Sequence, residues 1–414
     1  MIRRQAQIAL FAVAIALVGA ACSSSSKSAS SNPGGGTASN TTCSGPGISN
    51  GKVTVGVIQQ TTGNPTVVGD FQHALDTTNA RFALQNSQGG VNGLQLQAVA
   101  ADDGGTTTQN LSAARQLVEQ DNVFGIVEIS IEPGGSGDYL KAKGIPVTGW
   151  ATAADPYAKD NNFFGAVGGF PADPAKTPDT SIVGFLKSKG VTNLALFGGT
   201  DPGSVGASNG TAAAARLDGM TVGYQTNSVA FGAKDFTADV AKLKAAGANG
   251  VVTELDPVTN LALVGAIKQA GITPVILLTT GYDQRLINAV PTLIQGDYFL
   301  SPIAPFELHR PATDTFVQTL TKDAPKVPVA EVSAITWISA DLFIRGLQAA
   351  GSCPTRAKFI SALRKVTYDA GGMMAPVNEA TQVGKGNPCY WEVQAEGKTF
   401  VPVSPQPFCG KPLK

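Results

Sequence analysis

Histidine is almost missing from this chain: His73 and His309 are the only two among 414 residues. No C-x-x-C or H-E-x-x-H spacing occurs either, so both a zinc centre and a Ser/His/Asp triad lack their parts. Charge is scarce as well. Asp, Glu, Lys and Arg make up 14% of the chain, against about a quarter in ordinary globular proteins. The 30 basic residues balance the 30 acidic ones, and a formal charge of zero offers no broad attraction to nucleic acid or anionic membrane. Long apolar runs are lacking too. The longest, Ile8 to Val18, falls short of the roughly 20 residues a membrane helix needs. Also absent are a G-x-S-x-G elbow, a Walker loop, and a G-x-G-x-x-G after the first strand. The parts of these catalytic and metal sites are therefore missing, and no enzyme activity, cofactor or metal is expected. What is abundant is apolar and turn-forming residues, with 43% hydrophobic, 48 Gly and 25 Pro. At this length they imply a large core divided into two or three domains.

The first segment reads as an export signal. Met1-Ile-Arg-Arg is a basic start, the run to Val18 is the apolar stretch, and Gly19-Ala20-Ala21 precedes Cys22, so residues 1–21 are expected to be a signal peptide. Small residues ending in Cys22 and followed by serines resemble the lipobox of bacterial lipoproteins, with Gly19 where Leu is usual. The resemblance implies lipidation of Cys22, and localisation by this N-terminal lipid at the outer face of the bacterial cytoplasmic membrane. Residues 22–50 are read as a tether rich in Ser and Gly, without the large apolar side chains that would repay ordering. Four further cysteines, Cys43, Cys353, Cys389 and Cys409, are an even number in an exported chain and favour two disulfides. Three pairings are open; Cys389 with Cys409 would clamp a C-terminal hairpin and leave Cys43 for Cys353.

From Lys52 onward short β-branched runs alternate with amphipathic segments. VTVGVIQ (53–59), LQLQAVA (94–100) and VFGIVEI (123–129) are predicted strands, with helices near 66–86 and 107–120. After the Gly/Pro-rich stretch 168–178 the same grammar returns. Strands fall at 193–199, 220–226, 250–255 and 275–280, with helices at 204–218, 235–246 and 257–270. Such βαβ units imply parallel sheets. The fold class is therefore α/β, with two doubly wound, Rossmann-like lobes. Open parallel sheets bind ligands at the carboxyl ends of their strands. That places the candidate site where the strand-end loops of the two lobes face each other. Helices at about 310–323, 331–350 and 354–365 and a hairpin at 390–403 complete the chain.

Several stretches, in order, closely resemble the type 1 periplasmic solute-binding proteins of ABC importers, in particular the branched-chain amino acid (Leu/Ile/Val) binding family. They are VTVGVIQQTTGNP, GGVNGLQLQAVAADDGGTTTQNLSAARQLVEQDNVFGIV, GIPVTGWATAADP and AFGAKDFTADVAKLKAAGANGVV. The resemblance implies two lobes joined by three hinge crossovers near 170, 303 and 376. Lobe 1 would be 51–170 plus 303–375, and lobe 2 would be 171–302 plus 376–410. It further implies a monomer that captures a small polar solute, an amino acid or related carboxylate or amide, and delivers it to the permease of an ABC transporter. By the same resemblance, Ser130 holds a ligand carboxylate, and Ala151 and Thr152 lie on a loop that meets the ligand amine. The acid that usually anchors this amine is replaced by Thr280, with Tyr282 beside it. Asp283 and Asp256 are the nearest substitutes, and each also reads as a helix N-cap. Trp150 offers a stacking platform. Gln60 and Thr61 end the first strand, and Thr200 ends its counterpart in lobe 2; all three are candidate ligand contacts. The rival class is a sensing lipoprotein of the same fold, which would report a solute to a membrane receptor.

Overall fold

In the computed structural model, which describes residues 43–414, the alternation of strands and helices resolves into two parallel sheets. The signal segment, Cys22 and the tether up to residue 42 lie outside the described residues. From Cys43 the chain is packed. Strand β1 (Ile48–Ser49) turns back on β2 (Lys52–Gln59), and Ile48 is buried, so residues 43–50 belong to the folded body rather than to the tether that their composition suggests.

The first sheet runs in the order β3 (Gln95–Asp102), β2, β4 (Gly125–Glu128), β5 (Val147–Gly149), β6 (Phe163–Gly165), and these five strands are parallel. The second runs β8 (Thr221–Val229), β7 (Asn193–Gly199), β9 (Gly250–Glu254), β10 (Val275–Leu278), β11 (Tyr298–Ser301), again all parallel. The two orders are the same when read from each lobe's first long strand. The second β-strand of each series lies on one side and the later ones follow on the other. Beyond the short pair β12 (Thr367–Tyr368) and β13 (Val377–Asn378), the chain closes with β14 (Cys389–Glu396), β15 (Thr399–Pro402) and β16 (Phe408–Cys409). Strand β14 adds antiparallel to β11, extending the second sheet. The short strands β6 and β11, FFG and YFLS, escape a sequence reading because each is only a few residues long and lacks a clear alternation.

Twelve α-helices cover the sheets among the described residues. The segment 66–86, expected as one helix, is two: α1 (Pro65–Phe71) and α2 (Ala74–Ser87). The break has a partner, since the buried Gln59 side chain accepts the Leu75 N–H at 2.8 Å and so satisfies an amide in the first turn of α2. Helices α3 (Thr107–Arg115) and α4 (Gly137–Ala142) follow in the first series. The second series contributes α5 (Ser181–Ser188), α6 (Pro202–Leu217), α7 (Thr237–Ala245), α8 (Pro257–Gln269) and α9 (Gln284–Ala289).

The last three helices, α10 (Pro311–Asp323), α11 (Glu331–Ala350) and α12 (Arg356–Leu363), return to the first sheet. Their Phe316, Ile335, Phe343 and Phe359 share one core with Val53, Val55, Val57 and Phe82. The second sheet is buried on both faces, as a parallel sheet requires. Ala195 and Phe197 point to the α7 and α8 side, while Leu194 and Leu196 point to the α5 and α6 side.

The chain thus passes three times between the two sheets, through 166–180, 302–310 and 379–388. The first and third of these connections touch, since Gly168 packs against Asn387, and in the second the Ala304 N–H donates to the carbonyl of Met373, just ahead of β13 and the third, at 2.7 Å. Two disulfides fasten the ends of the body: Cys43 with Cys353, and Cys389 with Cys409 across the β14–β16 pair.

Candidate functional site

A cavity of about 730 Å³ opens between the two sheets at the carboxyl ends of their strands. Its walls come from the loops after β5, β6, β7, β9 and β10, from α1, and from the start of α11. This volume lies within the usual range of small-molecule sites. Most of the lining is apolar. Trp150 stands on Phe71 with ring centroids 5.8 Å apart and planes 11° from parallel, and Ile131, Phe170 and Phe231 extend that surface.

The two halves touch on both sides of the cavity. On one side the Thr152 carbonyl of the β5 loop approaches Gly203 in the first turn of α6, so closely that a Cβ there would lie 2.0 Å from the oxygen. On the other, Glu331 N–H donates to the Tyr282 carbonyl at 3.2 Å, and Asp283 pairs with Ala330 in an isolated antiparallel bridge.

Trp150, Ala151, Thr152, Asp256, Thr280, Tyr282 and Asp283 are all brought to this cavity. Several are already engaged. The Asp256 carboxylate caps α8, taking the Thr259 N–H at 3.0 Å together with the Thr259 hydroxyl, and accepts the Gly232 N–H at 3.3 Å. Asp283 caps α9 through the Arg285 N–H at 2.7 Å and is gripped by the Arg285 guanidinium at 2.5 and 2.9 Å. The Thr280 hydroxyl donates to the Leu255 carbonyl at 2.6 Å and accepts from Asn260. Tyr282 is buried. Its hydroxyl donates to Glu307 at 2.6 Å and accepts the Phe306 N–H at 2.7 Å, and its ring stacks on Phe306. Tyr282 thereby ties the β10 loop to the 302–310 connection.

Ser130, Gln60, Thr61 and Thr200 are not among the residues that line the cavity. Ser130 is fully buried; its hydroxyl donates to Asp103 and accepts the Glu132 N–H at 2.9 Å. The protein's own Asp103 therefore occupies the hydroxyl that family resemblance assigns to a ligand carboxylate. Burial raises the Asp103 carboxyl above its ordinary range, and it raises neighbouring Glu128 to about 8. Gln60 is buried, and Thr61 sits on a turn held by Asp102, which accepts the Thr61 N–H at 2.7 Å. Thr200 is exposed beside Asp201, the N-cap of α6.

The lining is strongly one-sided in charge. Asp70, Asp179, Asp201, Glu254, Asp256, Asp283 and Glu331 face a single basic residue, Arg285, which is already paired. Five of these acids have hydrogen-bond partners. Asp70 and Glu331 have none among the described residues. Burial, reinforced by Asp283, pushes the Asp70 carboxyl up to about 6, and burial with Asp70 nearby pushes Glu331 well above the usual range. Sequence reasoning missed both. Asp70 reads as the polar face of a helix and Glu331 as an ordinary acid at a helix start, favoured there by the helix dipole. Only the tertiary fold brings α1 and α11 together.

Comparisons with known proteins bear on this geometry. A family model described as periplasmic binding protein matches residues 52–399. A Leu/Ile/Val-binding protein homolog from Brucella melitensis is 27% identical over 316 residues, covering 75% of this chain and 83% of that protein. Among solved structures, a fatty acid ABC transporter substrate-binding protein from Thermomonospora curvata superposes with a TM-score of 0.73 at 20% identity, covering 88% of this chain and 94% of that one. A branched-chain amino acid ABC transporter protein from Thermus thermophilus, solved with bound valine, gives 0.71 at 16% identity, covering 86% and 96%. The two-lobed architecture is the type 1 periplasmic binding protein fold.

Proposed function

We propose that this chain, which belongs to the periplasmic binding protein family of extracytoplasmic solute receptors rather than enzymes, captures a small amphipathic solute between its lobes and presents it to the permease of an ABC importer. The observation that carries this reading is the cavity itself, walled by strand-end loops from both sheets and bordered on two sides by contacts between them. A solute that touches both walls stabilises the state in which those contacts are made, and the three adjacent connections serve as the hinge. Binding and closure are then one event, and the permease reads the closed shape.

The solute follows from the lining. An apolar surface around Trp150 and Phe71 accepts a hydrocarbon body, and the polar rim accepts one polar end. The named relatives have ligands of this kind, namely branched-chain amino acids and fatty acids. Cys22 anchors the protein by its lipid to the outer face of the membrane, and the chain works as a monomer.

A thermal-shift screen of the purified protein tests the reading, using amino acids, fatty acids, alcohols and amines of matched length. A true ligand at 100 times its dissociation constant adds about 2.7 kcal/mol of stability. A flat response to the whole set would refute solute capture.

A further inference from the structure

We infer that Asp70 and Glu331 form a binding subsite for a cationic nitrogen, an ammonium or amidinium group whose apolar body lies against Phe71 and Trp150. The inference rests on the solute-capture reading and adds the ligand's charge to it.

Two observations point the same way. Of the seven acids on the cavity wall, five have at least one partner within the protein, with Asp201 engaged through Oδ1 while its Oδ2 is unpaired, and the one base, Arg285, is held by Asp283. An anionic ligand would therefore meet no free cation and several carboxylates. Independently, Glu331 is 6% exposed, lines the cavity, and its Oε2 is sealed from solvent without any hydrogen-bond partner. A buried carboxyl group left unpaired costs stability, and a ligand donor is the partner the cavity can supply. Asp70 comes from α1 next to Phe71, so the acidic end and the aromatic platform are consecutive in the chain.

Both subsite acids belong to the half of the molecule built on the first sheet, while Asp256 and Asp283 face them from the other half. Closing the cleft without a cation brings like charges together. A bound ammonium offsets that repulsion, so charge neutralisation drives closure in the same direction as apolar burial. The groups that face the pair are Asp256, Asp283 and Arg285 around Asp70, with His73 on its own helical arm, and Tyr282 and Tyr390 around Glu331, with Glu307 bonded to Tyr282. Within this set only Arg285 carries a fixed positive charge.

Isothermal titration of the purified protein with n-octylammonium, 1-octanol, octanoate and leucine tests the assignment, repeated on Glu331→Gln and Asp70→Asn. The expected result is tightest binding of octylammonium, with a loss on the order of 100-fold in Glu331→Gln. Octanol affinity should be unchanged in the same variant, which separates charge recognition from damage to the fold. Glu331→Gln should also raise the melting temperature of the ligand-free protein, because an unpaired buried carboxyl is removed. Binding of octylammonium near pH 6 should release protons, seen as an enthalpy that depends on the buffer's ionisation heat. Tighter binding of octanoate, octanol or leucine overturns the inference and leaves solute capture standing, as does amine binding that ignores both substitutions. No binding by any of the four also overturns it. Solute capture falls with it only if the wider thermal-shift screen is flat as well.

Discussion

The carbonyl oxygen of Thr152 lies where the side chain of residue 203 would begin: a Cβ on Gly203 would be 2.0 Å from it. Thr152 belongs to the loop after β5 and Gly203 to the first turn of α6, so this is where the two halves of the molecule meet beside the cavity. Gly203→Ala cannot keep that contact. Alanine is the better helix former by about 1 kcal/mol, so α6 itself should not suffer. The expected outcome is a melting temperature equal to or above that of the wild type, with solute affinity at least about 10-fold weaker, the loss that about 1.4 kcal/mol against closure produces. Unchanged affinity would show that this contact is not part of the bound state.

Asp256 lines the cavity, yet its oxygens are spent on α8 and on Gly232. Asp256→Ala is expected to act on stability. Loss of the cap costs about 1–2 kcal/mol, measured by urea unfolding. A change in ligand affinity without a change in the unfolding midpoint would instead assign Asp256 to the ligand.

The two disulfides close loops of very different size, 310 and 20 residues apart in sequence. In the chain-entropy account the first stabilises by about 6 kcal/mol and the second by about 3 kcal/mol, as upper values. Replacing both cysteines of each pair by serine should therefore lower the unfolding midpoint more for Cys43 and Cys353 than for Cys389 and Cys409. The opposite order would contradict the loop-size argument.

Stability should fall as pH rises from about 4 to about 8. Burial holds Asp70 at about 6, Glu254 at about 7 and Glu128 at about 8, whereas the same groups in the unfolded chain titrate near 4. Between those values the folded protein keeps protons that the unfolded chain has released. The contribution is therefore complete at low pH and is lost as pH climbs through about 6 to 8. Urea midpoints at pH 5.5 should exceed those at pH 8.5, and Glu128→Gln should shrink the difference. A midpoint that rises across this window would refute the assignment.

The lobes were legible because their signals are local. VTVGVIQ, GVVTEL and VILLTT are apolar runs with turns on either side, and the helices between them carry 3.6-residue stripes such as Val240 and Leu243. The cavity residues on strand-end loops, Trp150 to Thr152 and Thr280 to Asp283, were legible for a related reason, since parallel sheets put ligands there. What failed was anything settled by a distant partner. Ser130 stands at a strand end, but Asp103 from the neighbouring strand's loop takes its hydroxyl. Asp70 and Glu331 are 261 positions apart in the numbering and line one cavity only because α11 returns to the first sheet. The break between α1 and α2 depends likewise on a side chain from β2.

Fluorescence of Trp150 tests the central claim most directly. Of the three tryptophans, Trp337 and Trp391 are 4% and 1% exposed, while Trp150 lines the cavity. Titrating the protein with the solutes that raise its melting temperature should give a saturable change in emission, and Trp150→Phe should abolish that change. A solute that stabilises the protein while leaving Trp150 emission untouched would place binding elsewhere and contradict capture between the lobes.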